Sequence, residues 1–169
     1  MNKVRKQPYK KPQAVKDLEA LAWEVKRQRF PDVPDYILVS EKYRDDSANG
    51  LTKCVIDYIR LRGGQAERIN TMGRPIDQRK TFTDVLGHTR QVGSVKWIPG
   101  TSTRGSADIS ATIRGRSVKI EIKFGKDRQS EAQRKYAREV EAAGGIYYVC
   151  KDFNSFVEWY SAKFGRAER

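Results

Sequence analysis

Histidine is almost missing from this chain: His88 is the only one in 169 residues. Nucleases built on paired histidines, histidine-metal hydrolases and Ser-His-Asp triads are therefore not expected, and carboxylate and lysine chemistry is favoured. Cysteine is nearly as scarce. Cys54 and Cys150 stand far apart and neither belongs to a C-x-x-C pair, so a disulfide framework or a zinc site is not expected and both are predicted to be core thiols. No apolar run approaches the roughly 20 residues of a membrane span. Nor does an apolar stretch follow the basic residues after Met1, so no secretory signal is read and a cytoplasmic location is expected. Acidic residues are the minority: 21 Asp and Glu face 34 Lys and Arg, a net charge of +13. Such a field draws polyanions, nucleic acid first among them. A membrane surface is not expected, because no segment sets a basic face against a broad Trp, Phe and Leu face. The length suits one domain with a sizeable core.

Residues 1–12 carry Lys3, Arg5, Lys6, Lys10 and Lys11 and no acid, and are expected to form a mobile basic tail, with Lys10 and Lys11 as candidate phosphate contacts. Residues 13–46 are read as a helix and linker. Val15, Leu18, Ala22 and Val25 recur at helical spacing beside Leu21, and the helix ends before Phe30-Pro31. A clearer helix follows in Leu51, Cys54, Val55, Tyr58 and Ile59, with Asn49 as its expected cap, Ser47 as the other choice, and Gly63-Gly64 as its stop. Ala66 to Asn70 reads as a short strand. Residues 71–104 read as an insertion in which Thr81–Leu86 and Thr89–Val92 flank Gly87-His88 as a hairpin.

Beyond the insertion, Ile109, Ala111 and Ile113 alternate with Asp108, Ser110 and Thr112. After Arg114-Gly115-Arg116, Val118, Ile120 and Ile122 alternate with Lys119, Glu121 and Lys123. This is a hairpin with one apolar face. A turn with two central residues places Asp108 opposite Glu121 or Lys123 and on their face. Opposed carboxylates repel, and a divalent cation makes their meeting favourable. The competing reading is an ordinary solvent face laced with ion pairs. Three features favour a site: Gly105 as a flexible entry, the net charge, and Lys126, Arg128 and a helix N-terminus after Lys123. That helix opens on the capping box Ser130-Glu131-Ala132-Gln133 and carries Ala132, Tyr136, Val140 and Ala143 as its apolar residues. Gly145-Ile146-Tyr147-Tyr148-Val149 is read as a buried strand, not a GIY-YIG nuclease motif, and Phe153 to Phe164 marks a last amphipathic helix.

The run GSADISATIRGRSVKIEIKFGKDRQSEAQRKYAREVEAAGGIYYV resembles the PD-(D/E)XK nuclease superfamily. Within it the run is similar to the virus-type replication and repair nuclease (VRR-NUC) domain and, more remotely, to archaeal Holliday-junction resolvases. The resemblance covers about Leu51 to Phe164. It implies an α/β fold with a restriction-endonuclease-like core of order α-β-β-β-α-β over residues 47–169, an N-terminal helical extension and an inserted hairpin. It implies a nuclease that hydrolyses DNA with Mg²⁺ or Mn²⁺ and no organic cofactor, on branched or flapped DNA in replication, repair or recombination. Matched residue by residue, Asp108 and Glu121 become metal ligands with the Ile122 carbonyl as a third, and Lys123 handles the attacking water. Gln133 becomes a site residue, and Arg68 a phosphate contact beside Arg104, Lys126 and Arg128. Ala107 stands where these families often have proline. The acid they often place on the first helix is missing, with Asn49, Glu41, Asp45 or Glu67 as replacements. A non-catalytic DNA-binding protein on the same fold is the alternative. The resolvase likeness also implies a homodimer, with the insertion or the first helix as candidate surfaces.

Overall fold

The computed structural model describes residues 8–69, 73–98, 100 and 103–165. The chain is a mixed α/β protein whose first element, α1 (Gln13–Arg29), packs on α2 (Ala48–Leu61). Ser47 caps α2 by accepting a hydrogen bond from the Gly50 amide at 3.1 Å, which corrects the expected cap: Asn49 lies inside the helix. The chain before the helix folds back on its first turn, where a Cβ on Gly50 would collide with the Arg44 carbonyl.

Four strands follow the core order: β1 (Gln65–Arg68), then, after the insertion, β6 (Ile109–Ile113), β7 (Arg116–Ile122) and β8 (Ile146–Cys150). Strand β1 is shorter than the expected Ala66–Asn70, and Asn70 lies outside the described residues. In the sheet β1-β6-β7-β8 the first two pairings are antiparallel and the last is parallel. The parallel step requires a crossover, supplied by α3 (Glu131–Ala142); α4 (Phe153–Phe164) closes the chain.

One sheet face meets α2 and α4, which α1 covers from outside. Ile109, Ile120, Leu51, Val55, Ile59, Phe153 and Phe156 are buried there, and the Tyr58 ring stands edge-on to Phe153, Phe156 and Tyr160 with centroids 5.8, 5.9 and 5.2 Å away. Burying a Phe of this kind contributes about 1.5–3 kcal/mol. The apolar face of α1 (Val15, Leu18, Leu21, Ala22) belongs to the same core, so the extension is part of the domain, and that face is already covered within the chain. Cys54 and Cys150 are free and buried as expected, and burial pushes both thiols up to about 12.

Residues 8–12, expected in the mobile tail, are tied down: Tyr9 donates to Asp45 Oδ1 at 2.7 Å and Lys11 reaches Glu19 at 2.6 Å. The insertion is more regular than expected. Strands β2 (Arg74–Asp77) and β5 (Val95–Ile98) pair with each other, as do β3 (Lys80–Thr83) and β4 (Thr89–Val92). The register keeps step across both pairs and the Gln78 amide bonds Ser94 O at 3.2 Å, so they form one two-stranded ribbon. Leu86, read as strand, sits in its turn. No helix among the described residues is long and apolar enough to cross a membrane.

Candidate functional site

Arg114 and Gly115 both take left-handed conformations, φ 49° and 75°, the signature of a two-residue type I′ turn. That turn sets Ile109 against Ile120, and one step further Asp108 against Glu121, the first of the two expected registers. The backbone then locks Asp108: its Oδ2 accepts the Ile122 amide hydrogen at 2.9 Å.

The solvent-face reading of β7 fails, because Glu121 is 1% exposed and Lys123 6%. Their face is roofed by the first turn of α3, by Tyr147 of β8 and by Asp127 of the loop between β7 and α3. The capping box forms as expected, with Gln133 N donating to Ser130 Oγ at 3.2 Å and Ser130 N to Gln133 Oε1 at 2.8 Å. The remaining end of the same amide, Gln133 Nε2, donates to Glu121 Oε1. Gln133 therefore both caps the helix and holds the site carboxylate. Lys123 Nζ lies 3.0 Å from Glu121 Oε1 and 3.2 Å from Asp127 Oδ2, while the Lys123 amide extends the ladder to Cys150 O at 2.8 Å.

Burial raises the Glu121 pKa and the nearby Asp108 charge adds to the rise, against the pull of Lys123. Burial works to lower the Lys123 pKa, but its bonds to Glu121 and Asp127 outweigh this and the ammonium is favoured. Two groups outside the sequence reading belong here. Asp127 braces Lys123, and the Tyr147 hydroxyl lies 3.5 Å from Glu121 Oε2. Asp127 reaches Lys123 through the turn that follows β7, where the Asp127 amide bonds Phe124 O at 3.3 Å, and Tyr147 depends on the parallel register of β8; helical or strand spacing in the sequence shows neither.

A cavity of about 340 Å³ opens beside this cluster, lined by Arg104, Gly105, Ser106, Asp108 and the first turn of α3. Gly105 is required: at φ 84° its absent Cβ would stand 2.5 Å from the Ala132 carbonyl, so the loop presses on the helix start. Ser106 Oγ is buried there and has no hydrogen-bond partner among the described residues. Arg104, Lys126, Arg128 and Lys10 are exposed, whereas Lys11 is engaged by Glu19.

Arg68 does not join the cluster. Its register with Ile109 sets it on the α2 side of the sheet, where it lines a separate cleft of about 240 Å³ with Asn49, Thr52 and Arg60. Of the replacement acids, Glu41 pairs with Lys26 and Lys53, and Asp45 accepts from Tyr9. Glu67, opposite Ser110, alone shares the sheet face of Glu121. Among the described residues no group of three His, Cys, Asp or Glu side chains is placed to hold a metal ion. No family model matches the chain, and no curated protein is significantly similar to it.

Proposed function

We propose that this protein is a metal-dependent endonuclease that hydrolyses phosphodiester bonds in DNA. The observation that carries the reading is Asp108, one residue beyond the Ile109–Ile120 pair and bonded through Oδ2 to the Ile122 amide, beside a buried Glu121 with Lys123 two residues on and bonded to it. Burial and the Asp108 charge both oppose ionisation of Glu121, a strain that a hard cation relieves. The core order α2-β1-β6-β7-α3-β8 agrees with that of the PD-(D/E)XK nucleases the sequence resembles.

Asp108, Glu121 and the Ile122 carbonyl would hold Mg²⁺ or Mn²⁺, all hard oxygen donors. The metal would supply charge neutralisation at the phosphoryl oxygens and acidify water. Lys123 holds its proton at Nζ and presents a positive charge where negative charge develops on the phosphoryl group. Gln133 and Asp127 fix Glu121 and Lys123 in place. Arg104, Lys126 and Arg128 line the approach as cations for flanking phosphates.

A plasmid and branched-DNA cleavage assay with Mg²⁺, Mn²⁺ and EDTA tests this. Cleavage that needs the cation supports it, and intact DNA under every condition removes it. One observation favours a second reading, a DNA-binding protein that does not cut: no third carboxylate joins the pair among the described residues. Retained binding without cleavage is its outcome.

A further inference from the structure

The ribbon of β2, β3, β4 and β5 is the longest nearly unburied stretch among the described residues. Between residues 73 and 98 only Gly73, Ile76 and Asp84 are even half-buried. It extends roughly ten residues a side, about 30 Å at 3.4 Å per residue. Its root is tethered to the candidate site: the Ile69 amide bonds Asp108 O at 2.7 Å, and three residues separate Ile69 from Gly73, a reach of at most about 14 Å.

Paired residues share a face, so the register sorts the side chains. One face carries Arg74, Lys80, Arg90 and Lys96 interleaved with Ile76, Phe82, Val92 and Ile98. The ribbon's two acids are neutralised within it, Asp77 by Arg79 at 2.6 Å and Asp84 by Arg90 at 2.7 Å. No carboxylate among the described residues pairs with Arg74, Lys80 or Lys96. At the tip Val85 and Leu86 are 103% and 74% exposed. They do not hang on a slack loop: Asp84 Oδ1 accepts the Leu86 and His88 amides at 2.9 and 3.0 Å.

We propose that this ribbon is a duplex-DNA arm that lies in the major groove with its cationic and apolar face toward the bases and Val85-Leu86 leading. The inference rests on the reading of the site as acting on DNA and specifies the substrate as one with a duplex limb beside the cut. The B-form major groove, about 12 Å wide, admits a two-stranded ribbon; the deep, narrow major groove of A-form RNA does not. Unpaired cations on the apolar face match what the groove offers, phosphates at its walls and thymine methyls and base edges on its floor.

The test is binding of a 30-bp DNA duplex by the full chain without divalent cation, followed by anisotropy across salt concentrations and by dimethyl sulfate protection of guanine N7. The triple variant Arg74→Ala/Lys80→Ala/Lys96→Ala should bind at least tenfold more weakly, lower the slope of log K against log salt by about 2.7, at about 0.9 per phosphate, and lose N7 protection. The tip variant Val85→Ser/Leu86→Ser should weaken binding several-fold with the slope unchanged. Both should keep the wild-type unfolding midpoint. An unchanged slope and unchanged N7 protection in the triple variant overturn the proposal, as does an equal loss on an RNA duplex of the same sequence. So does a tip variant that turns a dimer into a monomer in sedimentation while binding DNA normally, which would assign the ribbon to a second copy of the chain. Failure to cleave in Mg²⁺ with N7 protection intact would remove the nuclease reading and leave the arm standing.

Discussion

The β6-β7 hairpin and the inserted ribbon are both antiparallel pairs with mixed polar and apolar faces, yet they treat their side chains in opposite ways. In β7 the polar Glu121 is as hidden as Ile120 beside it; in the ribbon Phe82 and Trp97 stand 46% and 61% exposed. Alternation defines a strand, and what packs on each face decides what is buried. Gln133 in the first turn of α3 and Tyr147 of β8 roof Glu121 on the polar face of β7, and α2 with α4 cover the other face of the sheet. The ribbon's contacts are chiefly between its own strands. A charge under a roof must be paired or coordinated, and an apolar side chain without one is free to meet a partner.

The largest expected effect falls on the roofed side. Asp108→Ala and Glu121→Ala should each lower cleavage by at least about 10³-fold, the several kcal/mol of charge stabilisation a bound metal supplies. DNA binding should persist or tighten, since each change removes a charge that repels phosphate. Cleavage at the wild-type rate by either variant would disprove the site. Next in size is a stability contrast. Phe156→Ala, fully buried among aromatic rings, should cost about 3–5 kcal/mol, whereas Phe82→Ala in the ribbon should stay within about 0.5 kcal/mol, both read from denaturant midpoints. A large loss at Phe82 would mean that the ribbon belongs to the core.

The parts legible in the sequence were those fixed by local chemistry. A two-residue turn around Gly115 fixes parity, so Asp108 shares the face of Glu121 and Lys123, and Ser130 with Gln133 marks a helix start. Burial of Glu121 and Lys123 was not legible, because it comes from groups brought in by tertiary structure: Gln133 at the start of α3 and Tyr147 of β8 over Glu121, and Asp127 against Lys123. Arg68 went to the opposite face for a similar reason: a strand's facing is set by its partner's register. In the insertion, the turn-like Gly73, Arg74 and Pro75 hid the outer pair of strands, and proline is tolerated because this two-stranded ribbon leaves its outer edges unpaired.

Gln133 offers a sharper division of roles inside the roofed site. Ser130→Ala removes only the cap and should cost about 1 kcal/mol of stability with cleavage retained. Gln133→Ala removes the cap's other half and the bond to Glu121. It should in addition raise the Mg²⁺ concentration for half-maximal cleavage by about 10–100-fold, as loss of a ligand's supporting partner does. Equal Mg²⁺ dependence in the two variants would reduce Gln133 to a cap.

The smallest effect concerns the tip and asks whether the ribbon is organised without the core. Hydrogen bonds from the His88 amide, Arg90 and the Leu86 amide hold the Asp84 carboxyl below the usual aspartate range. A lowered folded value means that its contribution is complete above the ordinary 3.8 and is lost only as pH falls through the lower folded value. Near neutral pH, Asp84→Ala should abolish amide-exchange protection at Leu86 and His88, leave the β6-β7 amides protected, and leave the unfolding midpoint in place. In the wild type the same amides should lose protection only in strong acid. Loss of β6-β7 protection in Asp84→Ala would join ribbon and core into one cooperative unit, and the independence of the two regions would fail.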